Sequence, residues 1–142
     1  MKLVQHLLDT KGRSVVSMAP DASVLDAVKL MAEKGIGSVV VMDGTELRGI
    51  VTERDYARKV IIKGRSSETT PISDIMTPDV KTTTPNATVD SCMALMHSLN
   101  CRHLPVLDNG EVVAMISSRD LVEAIIADQK EEIEHLEHYI SG

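Results

Sequence analysis

The chain has 142 residues, 43% of them hydrophobic and 25% charged, which is the composition of a folded globular domain and excludes extended disorder. Its net charge is −6, so no overall basic field attracts nucleic acid or an anionic membrane. No apolar run approaches the ~18 residues that a membrane span needs, and Cys92 and Cys101 are too few for a disulfide framework. We therefore expect a cytoplasmic protein with two reduced, buried thiols.

The first half of the chain predicts one block of strands and helices. Residues 1–13 are expected to form an N-terminal helical segment, and the block itself spans residues 14–62. Apolar residues recur at helical spacing after Ser23, and β-branched runs on both sides of Asp43-Gly44 indicate a pair of strands. The expected elements are an extended piece at 15–18, a helix from 24, strands at 38–42 and 47–51, and a second helix at 53–62.

The second half predicts the same order of elements. A polar segment bounded by glycine and proline, residues 63–78, is expected to be the linker. The second block spans residues 79–127, and its last helix continues into a C-terminal helical extension at 128–142. Near and along this extension three isoleucines lie seven residues apart with a leucine between them, a stripe suited to pairing with another chain. These residues are Ile126, Ile133, Leu136 and Ile140.

The two blocks are copies of one repeat at a constant offset of 65 residues. Pro85 falls on Pro20 (85 − 20 = 65) and Asp120 falls on Asp55 (120 − 55 = 65), with no gap between these anchors. Two copies are too few for a solenoid, so each copy is expected to cover the exposed apolar face of the other. The expected fold class is α/β (α+β), with two pseudo-symmetric β-α-β-β-α repeats and a site at the interface between them.

The same short motif closes the strand pair of each repeat. Thr52-x-x-Asp55 and Ser117-x-x-Asp120 each follow a strand and open a helix. Either motif can be a capping box, in which side chains satisfy the unpaired N–H groups of the helix start. Their recurrence at equivalent positions, where helix N-termini attract anions, favours nucleotide binding over capping alone.

Four segments carry a resemblance to a known family. They are 49–55 (GIVTERD), 114–120 (AMISSRD), 102–106 (RHLPV) and 74–77 (DIMT). Together with the repeat, they resemble the cystathionine-β-synthase (CBS) domain family, as a tandem pair called a Bateman module, and within it a subgroup of small stand-alone pairs. The resemblance implies no synthase activity. It implies that a Thr or Ser hydroxyl and an Asp carboxylate hold ribose hydroxyls, that backbone near the first two strands cradles adenine, and that phosphates point to the central cleft.

Carried over by position, the resemblance implies nucleotide-binding residues in both repeats. The second repeat has Ala114 where the signature has glycine, and both one occupied site and two occupied sites remain open. The implied residues near ribose and phosphate are Thr52, Arg54 and Asp55 in one repeat, and Ser117, Arg119 and Asp120 in the other. The implied adenine walls are Val16, Gly37, Ser38 and Val39 for one site, and Val80, Thr82, Arg102, His103, Leu104 and Pro105 for the other.

The expected function is regulatory. An adenosine nucleotide (AMP, ADP, ATP or NAD(H)) is expected to bind between the repeats of a homodimeric module and to alter its interaction with an unidentified partner protein. No nucleophile with a base, metal cluster or pair of carboxylates recurs, so we do not expect an enzyme. The glutamates beside His135 and His138 are interpreted as an exposed helix face and not as metal ligands.

Two other functions stay open at this point. A protein-interaction adaptor with vestigial nucleotide clefts predicts that no nucleotide stabilises the fold. A single-stranded RNA binder is disfavoured, because two Tyr and no Phe or Trp leave almost no side chains on which bases can stack.

Overall fold

The computed structural model describes residues 2–141, and its mixture of helices and sheets confirms the predicted α/β class. The chain divides into two compact units: the central unit is Val15–Lys81, and the terminal unit combines the chain up to Ser14 with the chain from Thr82 onward. In chain order the elements are α1 (Val4–Lys11), β1 (Ser17–Met18), α2 (Val24–Lys34), β2 (Ser38–Asp43), β3 (Glu46–Thr52), α3 (Glu53–Tyr56), a π-helical turn (Ala57–Ile61), a 3₁₀ turn (Ile72–Asp74), α4 (Val89–Leu99), β4 (His103–Asp108), β5 (Glu111–Ser117) and α5 (Ser118–Ser141).

The central unit is built on a three-stranded sheet. β1 runs parallel to β2, and β2 runs antiparallel to β3. α2 begins where the Ser23 hydroxyl accepts a hydrogen bond from the Asp26 N–H, and it ends at Gly35, whose φ of 65° suits a residue without a Cβ. The core that joins α2 to the sheet is aliphatic and includes Val24, Ala27, Met31, Val39, Val41 and Val51.

The predicted helix at 53–62 is not a uniform α-helix. After α3 the backbone widens into the π-helical turn, and the N–H of Ile62 donates to the carbonyl of Ala57. Val60 is buried within this turn, whereas Ile61 and Ile62 are exposed. The sequence pattern does not distinguish a π-helical turn from an α-helix, because apolar residues lie on one face in both kinds of helix.

The segment 63–78, predicted as a linker, contributes to the core of the central unit. Ile72 and Ile75 are fully buried. The 3₁₀ turn begins at Ile72, directly after Pro71, and Ile75 follows its last residue. Thr77 then pairs with Ile50 of β3 through two backbone hydrogen bonds. The segment is polar as a whole, so the two buried isoleucines, which are three positions apart, do not stand out in the sequence.

The terminal unit packs three helices against an antiparallel strand pair, β4 and β5. Val4 and Leu8 of α1 are buried in its core, so α1 is an integral part of this unit. Within the described residues, the predicted extended piece at 80–83 forms one bridge, between Thr83 and Val106. Cys92 is buried as expected, but Cys101 is only half-buried, and both thiols are free.

Each unit is completed by the segment that precedes the other repeat. In the central unit the N–H of Ile72 donates to Ala22, and in the terminal unit the N–H of Val4 donates to Ala87, its equivalent at an offset of 65. The two donors are 68 residues apart (72 − 4 = 68), whereas equivalent residues of the two repeats are 65 apart. The two preceding segments are therefore related by an offset that is three residues longer than the offset of the repeats. Along residues 2–141, none of the helices combines the length and apolarity that crossing a lipid bilayer requires.

Candidate functional site

In the central unit the signature motif lies at the junction of β3 and α3. Thr52 ends the strand in an extended conformation, and its hydroxyl accepts a hydrogen bond from the Asp55 N–H at 3.2 Å. Asp55 Oδ2 in turn accepts from the N–H of Thr52 at 3.0 Å and from its hydroxyl at 3.1 Å. The motif is therefore a complete capping box around Asp55, a residue that is only 7% exposed as a whole.

A lysine neutralises this buried carboxylate. Lys59 Nζ lies 3.0 Å from Asp55 Oδ1 and donates to the carbonyl of Ile75 at 2.8 Å. The hydroxyl of Thr77 also approaches Oδ1, at 3.4 Å. The segment around the 3₁₀ turn thus closes the junction, and four donor atoms surround the buried carboxylate group of Asp55.

The junction of β5 and α5 in the terminal unit repeats this chemistry. Asp120 Oδ2 accepts from the N–H of Ser117 at 2.8 Å, and the Ser117 hydroxyl accepts from the N–H of Asp120 at 3.2 Å. Lys11 Nζ lies 2.6 Å from Asp120 Oδ2 and 2.6 Å from the carbonyl oxygen of Met115. Partial burial alone would raise the pKa of Asp120, but the hydrogen bonds and charge of Lys11 together with the bonds from Ser117 hold this pKa below its ordinary value.

In both units, one ammonium group bridges the carboxylate and a backbone carbonyl, but the two lysines come from different elements. Lys59 lies one helical turn after Asp55, a spacing that sequence alone reveals. Lys11 lies at the end of α1, 109 residues before Asp120, and nothing in the linear sequence connects the two. Sequence analysis missed Lys11 for this reason.

The predicted adenine wall of the central unit is only partly formed by side chains. Ser38 pairs with Thr52 across the sheet, and the carbonyl of Gly37 accepts from the N–H of Glu53 at 3.1 Å, so both residues lie beside the junction. Val39 turns its side chain into the hydrophobic core, which leaves only its backbone for a ligand. Val16 lies one strand away, where its carbonyl accepts from the backbone of β2.

The predicted wall of the terminal unit shows the same division. The carbonyl of Arg102 accepts from the N–H of Ser118 at 2.8 Å, and His103 pairs with Ser117, so these two residues adjoin the junction. Leu104 is fully buried in the core, and its side chain is not a wall. Pro105 accepts a backbone hydrogen bond from the residue after Thr82 in the terminal unit, and Val80 is part of the central unit.

The two arginines of the signature differ in their surroundings. Arg54 is half-buried and has a polar partner. Arg119 has an 86% exposed side chain that pairs with Glu123 at 3.2 Å on the outer face of α5. Arg119 is therefore directed along its own helix and not across the junction.

The structure explains why the first repeat has glycine and the second has Ala114. A Cβ on Gly49 would lie 2.7 Å from the carbonyl oxygen of Thr77 and 2.8 Å from the sulfur of Met76. The glycine is thus required by the close approach of the 76–77 segment to β3. Ala114 lies fully buried in the core of the terminal unit without such a restriction, so it is no argument against a site there.

A cavity of about 470 Å³ adjoins the junction of the central unit. Its volume falls within the range of small-molecule sites. Gly37 and Glu53, which flank Thr52 across the sheet and along the chain, lie on its rim. The rest of the lining comes from the end of α2 and from Tyr56, and includes Val28, Met31 and Ile36.

No group of three His, Cys, Asp or Glu side chains within residues 2–141 is placed to hold a metal ion. His135 and His138 lie exposed on α5 together with the neighbouring glutamates. The polar chemistry that the two units share is therefore that of the two carboxylate junctions.

Two mixed units, each with a Thr/Ser-Asp junction at the end of a strand pair, define a tandem-domain architecture. The model of the CBS domain matches residues 10–62 and 72–127, which is more than half of the chain, and the chain therefore belongs to the CBS-domain family as a tandem pair. This confirms the resemblance drawn from the sequence.

The comparisons with individual proteins agree. The CBS domain-containing protein CBSX3, mitochondrial, of Arabidopsis thaliana is 38% identical over 98% of this chain and 72% of its own length. A structure of a protein with CBS domains from Burkholderia ambifaria is 48% identical, covers 90% of this chain and 96% of its own, and has a TM-score of 0.87. The CBS domain pair of protein MJ0100, solved with 5′-methylthioadenosine and S-adenosyl-L-methionine, is 25% identical, with 90% and 98% coverage and a TM-score of 0.80.

Proposed function

We propose that this protein is a regulatory module that binds an adenosine-containing ligand at one or both of its strand–helix junctions. The observation that supports this most directly is the recurrence of one hydroxyl–carboxylate pair at equivalent places in both units, Thr52 with Asp55 and Ser117 with Asp120. The related CBS pair of MJ0100 was solved with two ligands that both contain adenosine.

The carboxylates have the chemistry that a ribose requires. The two neighbouring hydroxyls of ribose are donors, and an ionised carboxylate accepts both in a charge-assisted pair. Asp120 has the more accessible side chain, 21% exposed against 9% for Asp55. Both oxygens of Asp55 are engaged by donors of its own unit. We therefore expect the terminal unit to bind with less rearrangement.

The lysines add a preference for phosphorylated ligands. Lys11 Nζ lies 2.6 Å from Asp120 Oδ2, so its ammonium is close to any nucleoside whose ribose binds this carboxylate. Its flexible stem of four carbons lets it follow a phosphate as a point charge. AMP, ADP, ATP or NAD(H) should then bind more tightly than 5′-methylthioadenosine, which carries no phosphate.

The regulatory role, the homodimer and the cytoplasmic location belong to this proposal. In it, ligand binding changes how the module contacts a partner protein, and the protein performs no chemistry of its own. The mitochondrial designation of one relative makes the location a matter for direct measurement in cells.

A thermal-shift panel tests the proposal. AMP, ADP, ATP, NAD⁺, NADH, S-adenosylmethionine and 5′-methylthioadenosine are compared with GTP, on the wild type and on Asp55→Asn and Asp120→Asn. A ligand at a hundred times its Kd adds about 2.7 kcal/mol, or roughly 5 to 10 °C. Asp43→Asn is the matched control, because Asp43 forms an exposed pair with Arg48 at the end of β2 and β3 that lies opposite the junction of its unit.

A protein-interaction adaptor with vestigial sites is the second candidate. The observation that favours it is the complete internal satisfaction of Asp55 by its own unit. If no ligand of the panel changes the melting temperature, the junctions serve only as helix caps and the adaptor function replaces the proposed one. If a ligand stabilises the wild type and Asp120→Asn abolishes the shift, the adaptor is excluded and the site is located.

A further inference from the structure

The second half of α5 presents an unpartnered apolar stripe. Leu121 and Ala124 anchor the start of the helix in the core, but from residue 126 to residue 141 every side chain except the half-buried Asp128 is exposed. This part is about 24 Å long at 1.5 Å per residue. The exposed apolar residues of the helix are Val122 at 44%, Ile126 at 59%, Ile133 at 55%, Leu136 at 62%, Tyr139 at 85% and Ile140 at 82%.

The stripe has the spacing of a coiled-coil seam. Ile126, Ile133 and Ile140 occupy one position of a seven-residue repeat. Val122, Gln129 and Leu136 occupy the second position, so the spacing alternates between four and three residues. A single polar residue in such a seam commonly fixes the register of the paired helices.

We propose that the same segment of a second copy of this chain covers the stripe, and that the two helices run antiparallel. In the proposed register Ile133 lies opposite Leu136 of the second copy, and Gln129 lies opposite Ile140 of the second copy. The symmetry of the pair gives each contact twice. This arrangement centres the contact on residues 128–141, the part of α5 that lies beyond the core of the terminal unit. It does not depend on nucleotide binding.

The charges that flank the seam argue against a parallel pair. In a parallel coiled coil, the residue directly before an isoleucine position of this seam on one helix faces the residue five places later in the sequence of the other helix. Glu132 would then face Glu137 of the second copy on both sides of the pair. Like charges at these positions destabilise the pair, and no opposite charge compensates for them.

The same charges favour the antiparallel register. There Lys130 faces Glu137 of the second copy, and the Tyr139 hydroxyl faces the carboxylate of Glu132 of the second copy, each twice. Shifting the register by seven residues in one direction places Glu123 opposite Glu137 of the second copy and Lys130 opposite Lys130 of the second copy. A shift in the other direction brings Glu137 against its own copy. One register alone therefore satisfies both the apolar spacing and the charges.

Distances between paired spin labels test the orientation whatever other surfaces the protein uses to associate. Ala127→Cys and Glu134→Cys place the label on the same side of α5, in a Cys101→Ser background, and the buried Cys92 remains unlabelled. In the proposed register the labels at 127 are separated by about 22 Å along the helix axis, and those at 134 by about 1.5 Å. The label-to-label distance at 127 should exceed that at 134 by roughly 10 Å. Equal distances would show a parallel pair, and the absence of any short distance at 134 would show that α5 does not pair; either result overturns the proposal.

Charge reversal is the second measurement. Lys130→Glu alone and Glu137→Lys alone should each raise the dimer dissociation constant roughly tenfold in sedimentation, because each creates two repulsive pairs. An equimolar mixture of the two variants should recover wild-type affinity as a heterodimer. Glu134→Lys, on the outer face, is the matched control and should have no effect. Tighter association of Glu137→Lys would overturn the proposed register, since only a parallel pair gains an attraction from this change.

Discussion

Removing the ammonium of Lys11 tests the contact that joins α1 to the terminal junction. Its Nζ lies 2.6 Å from both Asp120 Oδ2 and the Met115 carbonyl, but the Lys11 side chain is 41% exposed. Solvent screening at this exposure limits the ion pair to about 0.5–1 kcal/mol. Lys11→Met keeps the apolar stem, so we expect the free energy of unfolding to fall by that amount, and Tm to fall by roughly 2–4 °C.

Urea denaturation of a double-mutant cycle separates the pair from other effects. Lys11→Met, Asp120→Asn and the double variant should give a coupling free energy of about 0.5 kcal/mol at low ionic strength. This coupling should shrink in 1 M salt, where the Debye length is about 3 Å. A coupling of zero at low salt, or one that salt leaves unchanged, would refute the electrostatic role assigned to Lys11.

Three further predictions follow from the fold. Because the folded-state pKa of Asp120 is lowered, its stabilising contribution is present above the ordinary value near 3.8 and is lost as pH falls through the folded value. The stability difference between wild type and Asp120→Asn should therefore shrink as pH falls below 3.8 in acid titrations. Gly49→Ala should lower the free energy of unfolding by about 1–3 kcal/mol in urea denaturation, because its Cβ would contact the 76–77 segment at under 3 Å. Ala114→Gly at the equivalent position should lower it by about 1 kcal/mol. Equal losses for the two variants would contradict the close approach. Ile75→Ala should cost about 2–5 kcal/mol and the exposed Ile62→Ala under about 0.5 kcal/mol in the same assay, and a small effect at Ile75 would show that the segment is a linker after all.

The order of elements could be predicted because their periodicities are local. Ser23 and Thr88 are the N-cap residues of helices that begin at the next residue. The turns at Gly44 and Gly110 separate strands of nearly the predicted length. The direction of the side chains in β2 could not be predicted, because four consecutive apolar residues, Val39 to Met42, show no alternation between faces.

The parts of the site that escaped prediction depend on long-range contacts. The capping boxes themselves are local and were identified, but the lysine that reaches Asp120 comes from 109 residues away. The structural equivalence of the segments before the repeats was also missed. These segments are related by an offset of 68 residues, three more than the offset of 65 that relates Pro20 to Pro85. A search for internal symmetry at one fixed offset does not detect such a shift.

The completion of each unit by the segment before the other repeat has a consequence for how this gene could be shortened or recombined. A cut between the repeats at residue 65 would leave the first fragment without Ile72 and Ile75, and would leave the second without Val4 and Leu8. Neither fragment would contain all the parts of one core, although each would contain one complete repeat. The smallest exchangeable piece of this chain is therefore not a repeat but the pair, and a single repeat with its own preceding segment would find its missing piece only in a second molecule.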